Sequence, residues 1–194
     1  MNDAQHGKAP APAVSERVCP PWLCFTFDNI FRRMVQNPDR ILKPYIKPGW
    51  IVLDVGPGMG YFTIPLARMV GENGKVIAAD LQQQMLDGLD HKAFKYGVQE
   101  RIKLHLTKAD SIGISETIDF CLAFWMVHEV PDRAHFLNEI CSKLKTEGLM
   151  LIAEPRIHVS KNEFDKTLED AKKAGFSIAD MPKIFLSYTA LLKK

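Results

Sequence analysis

Several absences narrow the field before any motif is read. No apolar segment is long enough to cross a bilayer: the run that includes Cys121–Val127 falls far short of the roughly 20 residues a spanning helix needs. Residues 1–18 are rich in Ala, Pro and polar groups and lack the apolar centre of a secretory signal, so they read as a flexible tail. Cysteine is sparse, and Cys19, Cys24, Cys121 and Cys141 follow no paired-motif spacing. A reduced, cytoplasmic protein is the simplest expectation. Cys19 and Cys24 form a C-x4-C pair, but zinc would need two further ligands nearby, so no metal is expected. Neither charge sign dominates: 25 Lys and Arg against 23 Asp and Glu leave a formal net charge of +2. No block of like charge and no aromatic-basic stripe is present, which weighs against a nucleic-acid partner.

What is present suits one α/β domain. In a chain of 194 residues, 46% hydrophobic content is enough to bury a substantial core. Phe27, Ile30, Phe31, Met34 and Val35 recur at helical spacing, Asn37-Pro38 ends that helix, and a second short helix spans Asp39 to Tyr45. Residues 19–49 thus read as a helical lid ahead of a main domain over 50–194. From Ile51 the pattern alternates. Strands are expected at 51–55, 76–79, 102–106, 118–124 and 149–153, and helices at 61–70, 83–96, 133–144 and 161–174. Residues 176–192 read as a terminal strand pair joined near Pro182-Lys183. Such alternation implies a parallel sheet with helices on both faces.

The segment Leu53-Asp54-Val55-Gly56-Pro57-Gly58-Met59-Gly60-Tyr61 joins the first strand to the first helix of this series. Glycines there allow a sharp turn and the close approach of a ligand to the main chain. The spacing is G-x-G-x-G, not the G-x-G-x-x-G of dinucleotide folds, and no Gly-Lys-Ser/Thr follows. Asp54, two residues before Gly56, would repel a phosphate and attract a cationic ligand. These residues resemble the first motif of the class I S-adenosylmethionine-dependent methyltransferases. The resemblance implies a Rossmann-like, doubly wound sheet of seven strands, mostly parallel with an antiparallel terminal strand, and S-adenosylmethionine as cofactor.

The same resemblance implies further roles. Asp80 would accept hydrogen bonds from the ribose hydroxyls; its alternative is to cap the next helix. Asp110, with Ser111, would hold the adenine amino group or simply cap a loop. Gly56, Pro57, Gly58 and Gly60 would form the ligand loop, although Pro57 lacks an N–H to donate. Leu81, Met85, Phe124 and Trp125 complete the implied cofactor set, with Met85 and Phe124 packing around adenine or in the core. Phe124 to Asp132 resembles the corresponding region of ubiquinone/menaquinone-type methyltransferases. His128 there is the candidate catalytic base or substrate donor, with a structural histidine as the alternative. His128-Glu129-Val130-Pro131-Asp132 lacks the second His of a zinc-protease helix, and Pro131 would break that helix. Glu154-Pro155-Arg156 after the fifth strand reads as a boundary turn, with a place in the substrate pocket lining as the alternative. Residues 19–50 also resemble the start of an unassigned bacterial or archaeal methyltransferase group, by Cys19-Pro20 and Phe27-Asp28-Asn29. The expected activity is methyl transfer to a small molecule. Methylation of RNA or protein, and a non-catalytic S-adenosylmethionine-binding domain, remain the alternatives.

Overall fold

A computed structural model describes residues 36–194 of the chain. The expected helix around Phe27–Val35, the tail and the Cys19/Cys24 pair lie outside the described residues. Asn37-Pro38 opens a helix: α1 spans Pro38–Leu42, and the Asn37 Oδ1 accepts from the N–H groups of Asp39 (2.9 Å) and Arg40 (3.3 Å). Proline at a first helical position needs no partner for a missing N–H, which is why the pair starts α1 well.

The remaining elements run β1 (Ile51–Val55), α2 (Thr63–Val70), β2 (Lys75–Asp80), α3 (Gln83–Lys95), β3 (Ile102–Leu106), β4 (Ile118–Phe124), α4 (Arg133–Lys143), β5 (Leu144–Pro155), α5 (Lys161–Lys173), β6 (Ser177–Asp180) and β7 (Ser187–Lys193). They build a seven-stranded sheet in the order β3-β2-β1-β4-β5-β7-β6. β1 to β5 are mutually parallel, and β7 runs antiparallel to both β5 and β6. The expected doubly wound sheet with an antiparallel terminal strand is therefore the observed architecture.

Most boundaries differ from the sequence reading by a few residues, and two of the shifts bear on the site and the sheet. α2 begins at Thr63, leaving Tyr61 in the glycine turn. β5 begins at Leu144, directly after α4, because Leu144 already pairs with Ile118 across an irregularity in the ladder.

The period-2 alternation of the strands splits the core in two. Leu53, Ile77, Cys121, Met150 and Ile152 face a layer made by Phe136, Leu137 and Ile140 of α4 with Phe164 and Ala171 of α5. Val52, Val76, Phe120, Leu122 and Leu151 face Leu66 and Val70 of α2, Leu89 of α3 and Leu42 of α1. The central strands β1, β2 and β4 are covered on both sides, which explains their nearly continuous apolar sequences, whereas the edge strands β3 and β6 are partly or fully exposed.

The chain leaves β1 outward to β2 and β3, then returns to β4 on the other side of β1. The crevice between the carboxyl ends of β1 and β4 is thus the topological switch point, where open α/β sheets bind ligands.

Candidate active site

Three loops meet at this switch point. The first, after β1, carries Gly56, Gly58 and Gly60 at φ values of 66°, 52° and 83°. Gly60 is needed for packing: a Cβ there would lie 2.3 Å from Leu89 Cδ1. Gly58 differs, since a Cβ there would meet nothing within 4 Å. Its backbone thus borders open space that a ligand can enter. Pro57 between them is buried. A Cβ on Gly56 would come 3.1 Å from the Met126 Cβ, so the loops after β1 and β4 touch here.

Two carboxylates flank the glycine loop. Asp54 is 2% exposed, and its Oδ2 accepts the Thr63 hydroxyl at 2.7 Å. Burial pushes its pKa up to about 7; the Thr63 hydrogen bond opposes this and the negative charge of Asp80 adds to it. No cation is paired with Asp54 among the described residues. Asp80, 8% exposed, ends β2. Its Oδ1 accepts from the Gln82 N–H at 2.9 Å, and the backbone amides of Gly58 and Leu81 also favour its ionised form. Burial raises the Asp80 pKa against these hydrogen bonds. The Asp80–Gln82 hydrogen bond forms a turn just ahead of α3, whose N-cap is Gln82 with no side-chain cap bond, so Asp80 does not cap that helix and keeps acceptor capacity for a ligand.

The loop after β3 holds the next pair. Asp110 is exposed in a tight turn closed by Lys108 and Ser111. The Ser111 hydroxyl donates to Glu139 Oε1 at 3.0 Å, and the N–H groups of Ile112 (3.0 Å) and Gly113 (2.8 Å) donate to the same carboxylate. Glu139 on α4 thus anchors this loop, a role invisible in sequence because its partners lie more than 25 residues away.

The loop after β4 opens with Trp125 at φ 60°, a conformation costly for a bulky side chain. Its N–H donates to Ala153 O at 2.7 Å, and its Nε1–H donates to the Ser187 hydroxyl at 2.9 Å. Phe124, 7% exposed, packs on Phe62 with ring centroids 4.3 Å apart, and Met85, 2% exposed, is a core residue of α3. Leu81 is 39% exposed beside Asp80.

His128 lies in a single 3-10 turn, Val127–Glu129, and its side chain is 26% exposed. Its Nδ1 sits 2.9 Å from Glu154 Oε2. Glu154, 1% exposed near the end of β5, also accepts the N–H groups of Val127 (3.1 Å) and His128 (3.0 Å). Desolvation lowers the His128 pKa, but the hydrogen bond and charge of Glu154, aided by Glu129, outweigh it and the net shift is upward. A carboxylate on Nδ1–H leaves Nε2 as the nitrogen able to take a proton. Glu154 is thus the buried anchor of the whole turn and not a mere boundary residue. The available signal was a carboxylate directly after the apolar run of β5, at a strand's carboxyl end.

The His128 and His158 rings stack at 6.0 Å. Among the described residues no three His, Cys, Asp or Glu side chains converge to hold a metal ion. Cys121 is fully buried in β4, and burial, with the Asp54 charge, pushes its thiol pKa well up, so it is no nucleophile.

A glycine loop between two buried carboxylates at the switch point of this sheet matches one family. Residues 46–188 fit the model of the methyltransferase domain. The chain belongs to that family. It is 34% identical to a demethylmenaquinone methyltransferase of Lactobacillus johnsonii, the match covering 76% of this chain and 63% of that protein. A demethylmenaquinone methyltransferase of Bacillus cereus is 31% identical over 56% of this chain and 46% of its own length. The chain therefore spans less than two thirds of the length of these relatives. In fold it is similar to an S-adenosylmethionine-dependent methyltransferase of Aquifex aeolicus, with a TM-score of 0.79 and 24% identity over 91% of this chain and 98% of that one.

The residues present fit the cofactor. The uncompensated Asp54 carboxylate suits an ammonium or sulfonium group, Asp80 has acceptor oxygens for hydroxyls, and the open face of Gly58 admits close approach. Among the described residues no helix is long and apolar enough to cross a membrane.

Proposed function

We propose that the chain transfers the methyl group of S-adenosylmethionine to a small-molecule acceptor, with His128 as general base. The observation that carries this reading is the pair of buried carboxylates, Asp54 and Asp80, on either side of the open Gly58 backbone. When bound, S-adenosylmethionine supplies an electrophilic methyl on a sulfonium sulfur. Asp54 would hold its ammonium end and Asp80 its ribose hydroxyls. Gly56, Pro57, Gly58 and Gly60 would shape the loop against it, with Leu81, Asp110 and Ser111 on the adenine side and Trp125 towards the transferred methyl. Met85 and Phe124, buried in the protein core, would support this surface from behind.

Methyl transfer is an in-line displacement, so the main tasks are positioning and exclusion of water. An acceptor with a protonated nucleophile also needs a base. His128 Nε2 would take the acceptor proton as the new bond to the methyl forms, and the electron pair of the broken carbon–sulfur bond returns to sulfur. The relatives named for demethylmenaquinone support a small-molecule acceptor, as does the balanced charge. Residues 36–49 are the described end of the lid assigned to 19–49, and Leu42 and Ile46 anchor it in the core.

Calorimetric titration with S-adenosylhomocysteine, with NADH in parallel, tests the reading. Micromolar binding of the first alone is expected, and Asp80→Ala should weaken it at least about tenfold, the loss of ~1.4 kcal/mol or more in charge-assisted hydrogen bonds. Absence of S-adenosylhomocysteine binding overturns the reading. Binding without turnover across an acceptor screen would instead mark a non-catalytic binding domain.

A further inference from the structure

A second cavity lies beside the methyl-transfer crevice, between α1 and the segment that links β6 to β7. Its volume is about 240 Å³, and Arg40, Ile41, Tyr45, Lys183, Ile184 and Phe185 are among its walls. We infer that this cavity holds the anionic head group of an organic molecule with an apolar body, and that this molecule is the methyl acceptor.

The chemistry of the walls carries the inference. Arg40 and Lys183 are exposed cations, and neither forms an ion pair with any described residue. No carboxylate lines the cavity. Asp180 is the acidic residue felt by Tyr45, and its Oδ1 is taken up by the Met181 N–H at 2.7 Å. Burial first, and the Asp180 charge second, raise the Tyr45 pKa, so its phenol stays a hydrogen-bond donor. Two cations and a phenolic donor among the walls suit a carboxylate or phosphate. Ile41, Pro44, Ile184 and Phe185 offer the apolar remainder that a small-molecule site needs.

Position links the cavity to the crevice. Ser187 of β7 pairs with Pro155 at the end of β5, so residues 182–185 lie at the carboxyl edge of the sheet. The Gln36 amide Nε2–H donates to Phe185 O at 3.0 Å, and the Tyr61 hydroxyl donates to Gln36 O at 3.0 Å. Tyr61 directly follows Gly60, so two hydrogen bonds join the cavity wall to the glycine loop. An acceptor anchored here by its anion would be held against that loop. That the occupant is the acceptor rests on the proposed function; that the cavity takes an anion does not.

Calorimetric titration of the full chain, without cofactor, with 2-naphthoate, 2-naphthyl phosphate and neutral 2-naphthamide tests it. At least one anion should bind about tenfold or more tighter than the amide, as expected when charge-assisted contacts are added to a common apolar body. The tighter anion identifies the head group. The double variant Arg40→Ala/Lys183→Ala should lose about tenfold or more of that affinity while S-adenosylhomocysteine affinity stays within about twofold, because only the cations of the cavity are removed. Phe185→Ala should weaken anion and amide alike. Equal binding of amide and anions, or full anion affinity in the double variant, overturns the inference. Failure of S-adenosylhomocysteine to bind the wild-type chain overturns the proposed function and leaves the anion result standing.

Discussion

Replacing Asp54 by Asn should stabilise the ligand-free protein at alkaline pH while removing cofactor affinity. Asp54 is 2% exposed, with Thr63 as its hydrogen-bond partner, and its pKa is raised from 3.8 to about 7. A raised folded-state pKa means that the folded protein binds the proton more tightly than the unfolded chain. Stability is then greatest below the unfolded value and falls as pH rises through the folded one. The shift corresponds to roughly 4 kcal/mol, of which about 3 kcal/mol falls between pH 5 and pH 8. Asparagine has the same shape, keeps an oxygen for the Thr63 hydroxyl and never ionises. Urea denaturation of both proteins at pH 5 and pH 8 gives a double difference in which the other titrating groups largely cancel. The variant should gain about 3 kcal/mol on wild type between the two pH values. A gain below about 1 kcal/mol would show that Asp54 is hydrated or compensated, and the reasoning from burial would fail. S-adenosylhomocysteine titration of the same samples should show at least about tenfold weaker binding in the variant at pH 8, since the attraction to an ammonium is gone.

Other outcomes follow from single features. Glu154→Gln should lower the His128 pKa in an NMR titration, because the charge that holds it up is removed. The His128–Glu154 contribution to stability should be full below about pH 6.5, the unfolded histidine value, and be lost as pH rises through the raised folded value; the variant should lack that slope. Gly60→Ala should cost about 1–3 kcal/mol in chemical denaturation, since φ is 83° and the new Cβ meets Leu89. Gly58→Ala should instead act mainly on S-adenosylhomocysteine binding, because its Cβ fills open space. Phe164→Ala, emptying a fully buried position under the sheet, should cost about 3–5 kcal/mol.

The centre of the sheet is legible in the sequence because its strands are buried on both faces. Ile51–Val55, residues 76–79 and Ile118–Phe124 each read as apolar runs, and each lies within a strand. The antiparallel end of the sheet came from family resemblance, since no local pattern in Ser187–Lys193 states its direction. The sequence pattern starts β5 at Leu149 because Lys145 to Gly148 are turn-like, and only the pairing of Leu144 with Ile118 extends the ladder. At the site, Asp54, Asp80 and the glycines were legible by spacing. Thr63, Glu139 and Glu154 were not, because each acts on partners distant in sequence or through a side chain with many other uses. Glu154 joins the end of β5 to a turn 26 residues earlier, a contact that exists only after β4 and β5 pair.

The costs in this fold gather where the ligand is proposed to sit. Asp54 is buried without a cation among the described residues, Asp80 is nearly buried, and Trp125 holds a positive φ, all at the carboxyl ends of β1, β2 and β4. Elsewhere the sheet faces are covered by well-packed aliphatic and aromatic side chains that offset these penalties. Such a distribution is expected of a pre-organised site, in which strained backbone and desolvated charge persist because surrounding structure holds them. A ligand bearing a positive charge then gains the Coulomb attraction of Asp54 without first stripping water from it. Binding should also draw the Asp54 pKa down and release a proton near neutral pH. Titrating S-adenosylmethionine at pH 6.5 in buffers of different ionisation enthalpy reads that proton directly. Release from wild type and none from Asp54→Asn, each titrated to saturation, would tie the cost to the ligand; equal release from both would place the proton on another group.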